Sequence, residues 1–173
     1  MSEPSASKTL RVQFIHGLES SPQSTKATVL AEHFTSVTPG MQTGDFEGCV
    51  ALQHETIKNF VPDVLVASSF GGAVAVALLQ RGLWQGPTLL LAQAALRRGQ
   101  PCELPEQTDI WLVHGVHDDI IDPEDSRRLA QCGSPDRVRL IEVDDDHVLR
   151  AKVADGSLVR WVREIAAVAH DDR

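Results

Sequence analysis

Short apolar segments alternate along the chain with longer segments in which apolar residues recur at helical spacing. Six runs rich in Val, Ile and Leu predict strands, at Leu10–His16, Phe34–Thr38, Val64–Ala67, Thr88–Ala92, Ile110–His114 and Val138–Val143. Helices are predicted between and after them, at Lys26–His33, Cys49–Phe60, Gly71–Arg81, Pro123–Cys132 and Val148–Val168. Because strands and helices alternate, the pattern predicts an α/β fold with a doubly wound, mostly parallel sheet of about six strands.

Proline and glycine positions support this organisation. Ser20-Ser21-Pro22 and Asp122-Pro123 each place a capping residue before a proline, which is typical of a helix start. The single long connection rich in helix breakers is Arg97–Thr108. With no linker or repeat in the sequence, we predict a single domain over residues 1–173, of which the small and polar residues 1–8 are a flexible N-terminus.

Composition narrows the choice of partners and of cellular location. The net charge is −8, without the Lys/Arg clusters that bind phosphates, so neither nucleic acid nor an anionic membrane is an expected partner. The first apolar run, Leu10–Ile15, is too short for a signal peptide or a membrane span, and we expect a cytoplasmic protein. The three cysteines, Cys49, Cys102 and Cys132, are predicted to be reduced thiols because they are odd in number and widely spaced.

The first candidate for chemistry is a strand-to-helix turn, since sites in open parallel sheets form at the carboxyl ends of strands. The run Ala67-Ser68-Ser69-Phe70-Gly71 has the pattern of a nucleophile elbow, with Ala67 in place of the usual first glycine. Such a sharp turn accepts only small side chains two positions before and after the nucleophile. Those positions are Ala67 and Gly71 around Ser69, but Val66 and Phe70 around Ser68, so the sequence predicts Ser69 as the nucleophile.

A serine nucleophile needs a base and an acid that orients the base. Asp118 follows the Ile110–His114 strand and is the predicted acid, with Asp119 as the less favoured alternative. In the chain order expected for this type of fold the histidine follows the acid, which leaves His147 and His170. His170 lies in a charged terminal tail, so His147 is the predicted base.

The remaining site residues come from the turn after the first strand. The backbone amides of Leu18 and Phe70 are the predicted oxyanion donors, and His16, Gly17 and Glu19 are predicted to contact the substrate. This chemistry requires neither a cofactor nor a metal. His114 and His117 are weak metal-ligand candidates, since their spacing alone is poor evidence.

Acidic residues also occupy loops that follow strands. They are Glu19, Asp45, Asp119 and the Asp144–Asp146 run, and of the nearby basic residues only Lys26 opposes them. If several face the site, they predict a negative cleft that repels anionic substrates.

Two segments carry a family resemblance. Phe14–Ala27, together with Ser68-Ser69-Phe70-Gly71-Gly72, resembles the YqiA-type small bacterial esterases of the α/β-hydrolase superfamily. The resemblance implies a minimal hydrolase fold with little or no lid, Ser69, Asp118 and His147 as the catalytic triad, and a small-molecule ester as the substrate. A thioesterase, acyltransferase or peptidase on the same triad, or a non-catalytic binding protein with this fold, are the alternatives.

Overall fold

Six parallel strands form one sheet at the centre of the molecule. A computed structural model of the protein describes residues 9–171, so the predicted flexible N-terminus, residues 1–8, lies outside the described residues. The strands are β1 (Arg11–Ile15), β2 (Thr35–Val37), β3 (Val64–Ser68), β4 (Thr88–Leu91), β5 (Ile110–Gly115) and β6 (Val138–Val143). They lie in the order β2-β1-β3-β4-β5-β6, and every neighbouring pair is parallel. The predicted parallel sheet of about six strands is confirmed.

Helices cover both faces of this sheet. They are α1 (Thr25–His33), α2 (Phe46–Phe60), α3 (Phe70–Gln80), α4 (Pro123–Gln131), α5 (Arg150–Ala154) and α6 (Ser157–Asp171). One core layer joins α1, α5 and α6 to the face that carries Val12 and Phe14. The other joins α2, α3 and α4 to the face that carries Ile15 and Leu65. Successive residues of a strand point to opposite faces, so strands that are apolar throughout need helices on both faces. The doubly wound arrangement supplies those helices.

The strand order reverses direction at β1 and β3. The chain leaves β1 toward α1 on one face and leaves β3 toward α3 on the opposite face. The two loops therefore diverge and open a crevice at the carboxyl ends of these strands, which is where ligands bind in open α/β sheets. Both the turn that begins at His16 and the elbow at Ser69 lie at this position.

Two helix starts differ from the sequence-based prediction. The first helix begins at Thr25 and is capped by Ser24, whose hydroxyl accepts from the Ala27 amide, and not at Ser20-Ser21-Pro22. The second begins at Phe46, because the Asp45 side chain caps it. By contrast, Asp122 caps α4 with Pro123 in its first turn, as predicted.

The predicted helix Val148–Val168 is two helices. Its interruption lies at Gly156, which has a φ of +84°. The Asp155 side chain accepts a hydrogen bond from the Ser157 amide and so starts α6. Asp155 and the left-handed Gly156 that follows it end one helix and begin another, although the apolar period continues through both.

The prediction of three reduced thiols is wrong for two of the cysteines. Cys102 and Cys132 form a disulfide with a Cα–Cα distance of 5.8 Å, while Cys49 is a buried free thiol. The fold brings the end of α4 against the loop after β4, so two cysteines 30 residues apart in sequence become neighbours. Their spacing in the sequence does not indicate this pairing. Disulfides are typical of oxidising compartments, so the cytoplasmic location stays a prediction.

The connection between β4 and β5 contains one short 3₁₀ helix, Leu96–Arg98, and otherwise loop. The resemblance implies little or no lid, and this connection carries no helix longer than three residues. Within residues 9–171, no helix is long and apolar enough to cross a membrane. The single-domain organisation of residues 1–173 stays a prediction.

Close packing at the start of α3 supplies a test of the fold. A Cβ atom at Gly71 would overlap the backbone carbonyl of Ile15 in the neighbouring strand. We expect Gly71→Ala to lower the free energy of unfolding by roughly 1–3 kcal/mol, the usual cost of overpacking, as measured by urea denaturation. Gly44→Ala is the control, because Gly44 is exposed and its added methyl meets no atom within 4 Å. Equal stability of the two variants would contradict this packing.

Candidate active site

Ser69 sits between β3 and α3 in a backbone conformation that non-glycine residues rarely adopt. Its φ is 55° and its ψ is −117°. The neighbouring backbone supports this strained turn, because the Ser69 amide donates to Leu91 and the Ser69 carbonyl accepts from Ala94. The hydroxyl is thereby held at the top of the sheet, while Ser68 is buried. Such a turn is the expected geometry of a nucleophile elbow.

His147 reaches this hydroxyl from the loop that follows β6. Its Nε2 atom lies 3.0 Å from the Ser69 Oγ atom, and its side chain is 14% exposed. The loop can approach because Gly115 has no side chain; a Cβ there would overlap the carbonyls of Asp145 and Asp146. The histidine that chain order selects is therefore the one that contacts Ser69.

Lys26 of α1 anchors the His147 loop from the opposite side. Its Nζ atom donates to the Val148 carbonyl at 2.6 Å. Burial lowers the pKa of Lys26, although the nearby carboxylates of Asp146 and Asp145 oppose this effect. Val148, the residue after His147, is thus held by a lysine of α1 that lies 122 positions earlier in the chain.

Asp118 completes the hydrogen-bonded chain. Its Oδ2 atom lies 2.7 Å from His147 Nδ1, and its Oδ1 atom accepts from the amides of Ile120 and Ile121. Burial raises the pKa of this carboxyl, but the hydrogen bonds from Ile121, His147 and Ile120 outweigh it, and the pKa lies below the usual aspartate value. The alternative acid, Asp119, is exposed.

A second histidine, buried behind the first, shares the same carboxylate. His114 is fully buried, and its Nε2 atom lies 3.0 Å from Asp118 Oδ2 and 3.0 Å from the Ile121 carbonyl. Its Nδ1 atom lies 2.7 Å from the hydroxyl of Ser126 in α4. Ser126 in turn accepts from the Gln93 side chain at 2.9 Å.

These contacts define a consistent set of donors. Gln93 donates to Ser126, Ser126 donates to His114 Nδ1, and His114 Nε2 donates to the Ile121 carbonyl, with the Asp118 carboxylate 3.0 Å from the same nitrogen. Both ring nitrogens of His114 are used in contacts within the protein, so His114 is not arranged as the metal ligand weighed from its spacing. The sequence did not identify Gln93 or Ser126 as parts of the site. The one signal for Gln93 is a polar residue just after a buried strand.

The turn after β1 lies directly beside Ser69. A Cβ atom at Gly17 would lie 3.4 Å from the Ser69 Cβ, in ordinary van der Waals contact, so the turn lies directly against the nucleophile. Leu18 follows and is exposed at the cavity wall. Phe70 is the first residue of α3, where a backbone amide has no acceptor within the helix. Both predicted oxyanion donors therefore belong to segments that border Ser69.

His16 lies behind this turn. It is buried, its Nδ1 atom is 2.8 Å from the Gly17 carbonyl, and its Nε2 atom accepts from the Met41 amide. Both ring nitrogens are used to hold backbone, and the side chain is not part of the cavity wall. The predicted substrate contacts at Gly17 and Glu19 do lie in that wall.

A cavity of about 1620 Å³ opens at Ser69 and His147 and continues between α1 and α6. The prediction of an acidic cleft is wrong. Of the six acidic residues on which it was based, only Glu19 lines the cavity, whereas Arg97 and Arg98 lie in its wall. The other five are not part of the cavity wall. Two examples are Asp45, which caps α2, and Asp144, which lies 2.7 Å from His117. Among the described residues, no group of three or more His, Cys, Asp or Glu side chains is arranged to hold a metal ion.

Comparison with known proteins places this geometry in a structural context. No protein family model and no curated protein matches the sequence. Solved structures do match. A protein named as a hydrolase of the α/β superfamily, from Xanthomonas campestris pv. campestris, is 26% identical, with 94% of this chain and 99% of that chain covered at a TM-score of 0.67.

Two more distant structures carry more specific names. A monoacylglycerol lipase from Paleococcus ferrophilus is 12% identical, with 91% of this chain and 94% of that chain covered at a TM-score of 0.71. The esterase domain of a Rhodothermus marinus protein is 14% identical, with 93% of this chain and 90% of that chain covered at a TM-score of 0.66. The YqiA subtype is not singled out by these matches and stays a prediction. The parallel sheet, the strand order and these matches together show that the chain has the α/β-hydrolase fold.

Proposed function

We propose that the protein is a serine hydrolase that cleaves small carboxylic esters through an acyl-enzyme on Ser69. The observation that carries the proposal is the chain of two contacts, 3.0 Å from Ser69 Oγ to His147 Nε2 and 2.7 Å from His147 Nδ1 to Asp118 Oδ2. A serine hydroxyl is a poor nucleophile unless a base within hydrogen-bond reach accepts its proton. The names of the esterase and lipase neighbours agree with this activity.

Acyl transfer takes place in two halves in this mechanism. The Ser69 hydroxyl attacks the ester carbonyl while His147 takes its proton, and the protonated imidazole then gives that proton to the leaving alcohol. A water molecule, deprotonated by His147, next attacks the acyl-enzyme and releases the acid. The backbone amides of Leu18 and Phe70 stabilise the oxyanion in both halves, and Asp118 stabilises the imidazolium. The residues themselves supply every step, so the proposal includes no cofactor.

A non-catalytic binding protein that keeps the fold is the alternative from a different class. The strained backbone at Ser69 and the hydrogen bonds that hold Asp118 against His147 favour the enzyme, because a protein that only binds has no need of an activated serine. The choice among ester, thioester and amide bonds is made by an activity screen over p-nitrophenyl esters, thioesters and amides of different acyl length.

Covalent labelling tests the nucleophile. A fluorophosphonate probe labels an activated serine, so we expect the wild type and Ser68→Ala to be labelled and Ser69→Ala to be neither labelled nor active. Circular dichroism checks that both variants are folded. Labelling that persists in Ser69→Ala and disappears in Ser68→Ala would overturn the assignment.

The pH dependence tests the base and its partner. Only the neutral imidazole of His147 accepts the serine proton, so kcat/KM rises with pH as that ring loses its proton. Because the pKa of Asp118 lies below the usual value, this carboxyl stays ionised throughout the rise. We therefore expect the acid limb of kcat/KM to follow a single ionisation. A profile that is flat from acid to neutral pH contradicts a histidine base.

The buried donor behind Asp118 has a separate test. His114→Phe removes the imidazole that lies 3.0 Å from the Asp118 carboxylate and that hydrogen-bonds the Ile121 carbonyl, so the acid turn loses a buried contact. We expect kcat to fall about tenfold, in line with the roughly 1–3 kcal/mol cost of an unmade buried hydrogen bond. KM should change little, because His114 does not line the cavity. Ser126→Ala, which removes the hydroxyl beside His114 Nδ1, should lower kcat in the same direction. A change in KM with kcat unaltered would contradict a positioning role.

A further inference from the structure

Two adjacent arginines, Arg97 and Arg98, lie in the cavity wall on the 3₁₀ helix that follows β4. Their backbone is tied to the nucleophile, because the Ala94 amide donates to the Ser69 carbonyl at 3.0 Å and the Arg98 amide donates to the Ala94 carbonyl at 2.9 Å. Two hydrogen bonds thus connect Arg98 to Ser69. The backbone of Arg98 is therefore held at a fixed position relative to the backbone of Ser69.

Both side chains are held in place, and of the two only Arg97 has a carboxylate of the described residues within ion-pair distance. The guanidinium carbon of Arg98 lies 5.0 Å from the centre of the Phe70 ring, and no carboxylate among residues 9–171 forms an ion pair with it. Arg97 donates to the Ile120 carbonyl at 3.4 Å and lies 3.9 Å from the Asp125 carboxylate, at the limit of an ion pair. An arginine stacked on an aromatic ring is already ordered and loses less entropy on binding an anion.

Charge in the cavity is opposite to that of the protein as a whole. The chain has 24 acidic and 16 basic residues. The cavity is lined by six basic residues, Lys26, Arg97, Arg98, Arg150, Arg160 and Arg163, and by four acidic residues, Glu19, Glu32, Asp155 and Glu164. A local excess of cations in an acidic protein concentrates anions at the cavity and not elsewhere on the surface.

We propose that Arg97 and Arg98 bind an anionic group of the substrate, so that the preferred esters carry a carboxylate or a phosphoryl group beside the scissile bond. This inference rests on the proposed ester hydrolysis at Ser69. Guanidinium groups form paired, charge-assisted hydrogen bonds to both kinds of anion. Glu19 lies in the turn on the other side of Ser69 and repels an anion there, so the charged end of the substrate lies toward the arginines.

Matched esters test the proposal. The substrates are ethyl butyrate, which is neutral, monoethyl succinate, which adds a carboxylate, and ethyl 3-phosphonopropionate, which adds a phosphonate. We expect kcat/KM of the wild type for at least one anionic ester to exceed that for ethyl butyrate by about tenfold at low salt, with the ratio falling as ionic strength rises. The anionic ester with the higher ratio identifies which group the arginines bind.

Variants locate the effect. Arg98→Gln and the double variant Arg97→Gln, Arg98→Gln should lose the anion preference while hydrolysing ethyl butyrate at nearly the wild-type rate. Arg81→Gln is the control for net charge, because Arg81 pairs with Glu47 away from the cavity; it should keep the preference. Wild-type hydrolysis of ethyl butyrate with no anion preference, or an equal loss on neutral and anionic esters in Arg98→Gln, overturns this inference alone. If the wild type cleaves none of the three esters, the proposed function fails and this inference with it.

Discussion

The carboxylate of Asp118 is the interaction on which the rest of the site depends. One of its oxygens accepts two backbone amides of its own turn, and the other faces both His147 and His114. A buried carboxylate is stable only when its hydrogen bonds are made, so this group requires the β5 turn, the His147 loop and α4 to meet in one place. The β5 turn runs directly into α4, whereas His147 lies 29 positions after Asp118, and the shared acceptor joins these two parts of the chain.

Much of this arrangement could be predicted from sequence because it follows from local rules. The apolar strands and their alternation with helices predicted the sheet, and the small residues around Ser69 predicted the register of the elbow. The contacts of Gly71 with the β1 backbone give the physical basis of that register argument. Chain order then selected His147, which lies within hydrogen-bond distance of Ser69.

What could not be predicted depends on contacts between distant segments. Gln93 and Ser126 are ordinary polar residues until the fold buries them beside His114. Of the acidic residues after the strands only Glu19 lines the cavity, because Asp45 caps a helix and Asp145 and Asp146 accept backbone amides of their own loop. The arginines of a short irregular helix line the cavity in their place. The end of a helix at Gly156 and the pairing of Cys102 with Cys132 likewise depend on backbone positions that hydrophobic periodicity does not encode.

The disulfide joins the same two segments that Gln93 and Ser126 join by a hydrogen bond. Cys102 and Gln93 lie on either side of the 3₁₀ helix, and Cys132 and Ser126 lie at the end and in the first half of α4. The segment that contains this short helix is therefore connected to α4 on both sides of the arginines, by the hydrogen bond before them and by the disulfide after them. Reduction of the disulfide breaks only the second connection, because the Gln93–Ser126 hydrogen bond is buried and contains no sulfur. The segment that carries the arginines thus stays connected to α4 through Gln93 and Ser126 in a reducing as well as in an oxidising compartment.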